Sequence, residues 1–223
     1  DSGNGGSAVV GAYQITTGLN TYVAAVGWGA APWGNGTWGS GAALAISEQL
    51  RLYSQDNFGE DLVFNVRNGG IYYWDQSSGL STRGVNITSL GGASDCPTAA
   101  AQVLVSDNDQ HIIAFGSNTL GSATQDPLLV RWSDQENAAD WTPTATNTSG
   151  GVRVNSGSVI VGAVQTRQEI LIWTDTSLNS MRFVGAPFVF QFTTLSADVS
   201  MISPNAAVNA RGNVFFMDKT GFY

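Results

Sequence analysis

Cysteine and histidine are almost missing from this chain, with one of each in 223 residues. Cys96 alone can form neither an intrachain disulfide nor a cysteine-based zinc site. It is expected to be a small buried apolar group. His111 has no Ser–His–Asp context and no orienting partner in sequence, so it is expected on the surface or on an edge strand. Charge is scarce too: 12% of residues are charged, about half the usual share of roughly 25%. The positive side is the poorer, with 9 Lys and Arg against 17 Asp and Glu, a net charge of −8. A chain of that sign is not built to hold a nucleic-acid backbone, where phosphate neutralisation drives affinity. It suits solubility, or a wall past which phosphate slides.

Other absences narrow the classes further. No apolar run reaches 18 residues, so no membrane span is expected. No basic stretch followed by an apolar run opens the chain, so no secretion signal is expected. The sequons at Asn35, Asn86 and Asn147 are then chance matches in an Asn- and Thr-rich sequence. There is no GxxxxGK[ST] phosphate loop and no GxSxG elbow. Asp107 with Asp109, and Asp134 with Glu136 and Asp140, carry oxygen ligands that calcium could use. Neither set has the spacing of a calcium loop, and turn chemistry accounts for the first. No carboxylate pair is marked out for glycoside hydrolysis. The expectation is a non-enzyme without a cofactor or metal.

What the chain does have is glycine, 27 residues, well above the average of about 7%. Much of it lies in the first 41 residues. There "GWGAAPWGNGTWGSG" sets Trp28, Trp33 and Trp38 five apart. That spacing fits neither helix nor strand. It suits an extended arm whose rings drop into pockets on either side. The alternative is that the three rings fill the edge of their own domain. Residues 1–48 are expected to be this extended segment, and 49–223 the folded domain. The start without Met and the apolar ending "NVFFMDKTGFY" suggest a piece of a longer polypeptide.

From about residue 49 a strand–turn–strand phrase recurs. "EDLVFNVRNGGIYYWDQSSG" (60–79) turns at Asn68-Gly69, a strong short hairpin signal. "AQVLVSDNDQHIIAFGSN" (101–118) turns at Asp107–Asp109, "GSVIVGAVQTRQEILIWTDTS" (157–177) near Thr166–Gln168, and "NAAVNARGNVFFMDKTGFY" (205–223) at Arg211-Gly212. A looser copy at 126–144 pairs a strand, Leu128–Trp132, with an acidic loop and a short strand at Trp141. The main copies begin near 61, 102, 158 and 205, close to the roughly 40–50-residue period of propeller blades. Their second strands carry Tyr72–Trp74, Phe115, Trp173, and Phe215 with Phe216, suited to the wedge between packed sheets. The expected fold is all-β, made of β-propeller-like antiparallel repeats. A β-sandwich is the alternative.

Several words within 126–223 point to a family. They are Arg131-Trp132-Ser133-Asp134-Gln135-Glu136-Asn137, Asp140-Trp141-Thr142-Pro143, Gln165-Thr166-Arg167, Trp173–Ser177 and Pro204-Asn205-Ala206-Ala207. "SQDNFGEDL" (54–62) and "WGNGTWGSG" extend the likeness. The chain resembles bacteriophage virion structural proteins, most closely the tail nozzle or tail tube hub of short-tailed phages. It is shorter than a whole nozzle.

The resemblance implies a ring of copies, sixfold, around the DNA exit channel, with adaptor and fibre proteins as neighbours and DNA passing without specific binding. The location implied is the virion. The acidic loop with Asp134, Glu136 and Asp140 would face the channel or a neighbouring subunit. Arg131 and Arg167 would be candidates for intersubunit salt bridges. Trp28, Trp33 and Trp38 would hold an adjacent copy. The alternative role is a glycan-binding or glycan-cleaving tail protein.

Overall fold

Among the described residues four antiparallel sheets follow one another, each a simple up-and-down meander. The computed structural model describes residues 52–223. The segment 1–48 and its Trp28, Trp33 and Trp38 lie outside the described residues. The first sheet runs β1 (Tyr53–Phe58), β2 (Asp61–Val66), β3 (Ile71–Trp74) and β4 (Val85–Asn86). The second runs β5 (Gln102–Val105), β6 (Ile112–Phe115), β7 (Leu129–Trp132) and β8 (Gly150–Arg153). The third runs β9 (Ile160–Gln165), β10 (Ile170–Thr174), β11 (Leu178–Gly185) and β12 (Val189–Ser196). The fourth has three strands, β13 (Ala207–Ala210), β14 (Asn213–Asp218) and β15 (Gly221–Phe222). The expectation of an all-β chain built from antiparallel repeats holds.

The turns form where the sequence permits positive φ. Asn68 has φ 59° between β2 and β3, and Arg211-Gly212 has 53° and 87° between β13 and β14. Two successive positive values make the twisted two-residue turn that matches strand twist.

The phase of the repeat differs from the expectation. The hairpin at 60–79 supplies the second and third strands of its sheet, because β1 pairs with β2 from Tyr53↔Val66 to Phe58↔Asp61. The hairpins at 101–118, 157–177 and 205–223 supply first and second strands. The looser copy is no separate unit: β7 and β8 complete the second sheet. Trp141 lies in no strand. Its neighbour Asp140 makes only an isolated parallel bridge to Ser94.

The sheets pack through alternating faces. On β6, Ile112 and Ala114 join Val63, Ile71, Val103 and Trp141 in a core between the first and second sheets. Ile113 and Phe115, one residue out of step, join Val130, Trp132, Ile160 and Ile172 in a core between the second and third. All four β6 residues are buried, as a period of two requires of a strand covered on both faces. Burying one such side chain contributes about 1.5–3 kcal/mol. The third sheet meets the fourth through Trp173 and Phe216, whose ring centroids are 5.5 Å apart. Phe215 instead faces outward, 55% exposed. Tyr72 also leaves the inner wedge and stacks on Phe64 at 5.3 Å.

The first strands lie side by side, β1 against β5, β5 against β9 and β9 against β13. Close approach is achieved at Gly162 in β9. A Cβ there would sit 2.7 Å from Met201 Cε and 2.8 Å from the Pro204 carbonyl oxygen.

Candidate functional site

The loop between β7 and β8 is held by its own acids. Asp134 Oδ1 accepts the backbone N–H and the hydroxyl of Thr148, each at 2.7 Å. Asp140 accepts from Ser94 Oγ at 2.8 Å, Asn147 Nδ2 at 3.0 Å and the Thr142 N–H at 3.1 Å. Burial raises the Asp140 carboxyl, but the bonds from Asn147, Ser94 and Thr142 outweigh it and hold the group below the usual carboxylate range. Glu136 is different. It stands exposed at φ 54°, and only its backbone is engaged, donating to the Gln110 carbonyl at 2.9 Å. Of the three acids, Glu136 alone is offered to an outside surface.

His111 is fully buried, contrary to the expectation of a surface or edge position. The hairpin of β11 and β12 covers it with Phe183 and Phe190, at ring-centroid distances of 5.8 and 5.3 Å. Its Nε2 lies 3.0 Å from Thr148 Oγ1. That hydroxyl already donates to Asp134 and also accepts from the Gln135 N–H at 3.0 Å. The network therefore assigns the imidazole proton to Nε2, which donates to Thr148. Nδ1 is left as an orphan, 3.8 Å from the Asp109 carboxylate, too far for a hydrogen bond. Burial pushes the imidazole below its usual value, against the pull of Asp109 and Asp134. A histidine that activates a hydroxyl must accept its proton; here the donation runs the other way.

Arg131 is not at the surface. It is 4% exposed. Its guanidinium donates to the carbonyls of Asp95 at 2.6 Å, Trp141 at 3.3 Å and Asn118 at 3.4 Å, and lies 5.9 Å from the centroid of the Trp141 ring. Those contacts place it within the chain, on the face of β7 turned toward the first sheet, and correct its expected part in a contact between subunits. Arg167 is exposed on the turn between β9 and β10. Its carbonyl accepts from Asn108 Nδ2 at 3.3 Å.

A second cluster, not singled out from the sequence, lies where the first strands converge. Gln102 on β5 acts like a strand neighbour for β9: its Oε1 accepts from the Ala163 N–H and its Nε2 donates to the Ala163 carbonyl, both at 2.8 Å. Arg67, from the β2–β3 turn, donates to the carbonyls of Val161 at 3.0 Å, Ile160 at 3.4 Å and Ala101 at 3.4 Å. It ties the first sheet to the second and the third. Burial pulls its guanidinium below the usual value, though such a group stays charged. Arg67 borders a cleft of about 270 Å³ lined by β1, β5 and the Pro204-Asn205 segment ahead of β13. A lone arginine beside a turn carries no sequence signal for such a place.

No family model matches the sequence, and no curated protein matches it. Among the described residues no three His, Cys, Asp or Glu side chains gather into a metal-binding group. Among them, too, no helix is long and apolar enough to cross a membrane.

Proposed function

We propose that this chain is a non-catalytic structural subunit of a phage tail, one member of a ring around the DNA exit channel. The observation that carries the reading is the run of consecutive up-and-down sheets with their first strands side by side. That is the order in which β-propeller blades succeed one another. The likeness of the 126–223 words to nozzle and hub proteins points the same way. So does the net charge of −8, which lowers the affinity of a channel wall for phosphate. The buried His111, with its donation directed to Thr148, favours structure over chemistry. Glu136 is the residue of the acidic loop left to face DNA or a neighbour.

Negative-stain class averages of the purified protein test the reading. Rings with a central hole, sixfold in projection, are expected. Monomers, or elongated fibres of the kind a glycan-binding tail protein would form, would overturn it. In particles carrying Glu136→Lys, slower DNA ejection is expected if that loop lines the channel, and unchanged kinetics would remove it from the wall.

A further inference from the structure

The cleft at the convergence of the first strands stands apart from the rest of the chain in charge. The protein has 17 Asp and Glu, yet among the described residues none lines this cleft, and Arg67 does. Among the described residues Arg67 has no carboxylate within salt-bridge distance. Its three side-chain hydrogen bonds go to neutral carbonyls. A guanidinium has five N–H donors, so two are not used by these bonds. Around it stand Tyr53, Gln55 and Asn205, all exposed. None of these three side chains has a hydrogen-bond partner among the described residues. They bring two carboxamides and a phenol, each able to donate.

We infer that this cleft is a binding site for a small oxyanion, a carboxylate or a phosphate group, held by the fork of Arg67 and the amides of Gln55 and Asn205. A planar guanidinium matches the spacing of two oxygens on such a group. The charge is half-buried, where a counter-ion gains more than on open surface. The volume, about 270 Å³, lies just under the usual span of roughly 300–1,000 Å³ for small-molecule sites. It accommodates one oxyanion with a few further atoms rather than an extended ligand. The site stands on its own residues and goes beyond the tail-subunit reading.

The test is calorimetric titration of the full chain with inorganic phosphate and with citrate, against chloride at equal ionic strength. At least one of the two oxyanions is expected to bind saturably at one per chain, and the preferred one distinguishes the two sources. Replacing Arg67 would also free three carbonyls, so the variants are Asn205→Asp and Gln55→Glu, both at exposed positions. Each sets a negative charge in the cleft and should weaken binding by at least about tenfold, with the melting temperature unchanged. No saturable binding of either anion, or binding undiminished in both variants, would overturn the site. Neither result bears on whether the protein forms rings, which the images decide.

Discussion

Thr148 turns both of its donors, the backbone N–H and the hydroxyl, onto one oxygen of Asp134, each at 2.7 Å. That relationship fixes the loop after β7 and, through the hydroxyl, the tautomer of His111.

The first prediction concerns pH. The folded value of His111 is depressed by burial, so the unfolded chain takes up its proton first, near pH 6.5. The contribution of His111 is complete above about pH 6.5 and is lost as pH falls below it, down to the depressed folded value. Urea midpoints should therefore fall as pH drops below about 6.5, and His111→Gln should flatten that decline. An identical slope in the variant would show that other groups titrate there.

The acidic loop should divide into holders and a spare. Asp134→Ala removes two charge-assisted bonds and should cost about 2 kcal/mol. Glu136→Lys should stay within about 0.5 kcal/mol of the parent. Chemical denaturation of the two variants side by side checks the contrast. Equal costs would mean that Glu136 holds the loop as Asp134 does.

The two arginines should separate in the same way. Arg131→Ala leaves three inward carbonyls without their donor and should cost about 3 kcal/mol or more. Arg167→Ala should leave the unfolding midpoint within error. A mild Arg131→Ala that instead dissolved an assembly would restore its role between subunits.

The hairpins were legible in the sequence because a tight turn is a local matter: Asn68-Gly69 and Arg211-Gly212 announce themselves, although only the second closes in two residues. The phase was not. β1, "YSQDNF", has only Tyr53 and Phe58 as apolar residues, so nothing in its pattern marks it as the opening strand. The places of Arg131 and His111 were hidden for another reason. Both are polar groups buried by partners far along the chain, Asp95 and Trp141 in one case, Thr148, Phe183 and Phe190 in the other. Composition assigns such side chains to the surface, and only the assembled partners reverse that.

The approach at Gly162 sets a limit on substitution. Gly162→Ala puts a Cβ against the Pro204 backbone oxygen, which cannot swing aside as a side chain can. A loss of about 2 kcal/mol is expected. The thermal midpoint should drop, and proteolysis beyond Met201 should quicken as the fourth sheet loosens. An unchanged melt would mean that the segment ahead of β13 yields freely.

A strand covered on both faces cannot be released until one of its neighbours has gone. β6, with Ile112 and Ala114 in one core and Ile113 and Phe115 in the other, is therefore the clock of the whole domain. Its amide hydrogens should exchange only when everything opens, while those of β13 to β15 should escape earlier, through local fraying.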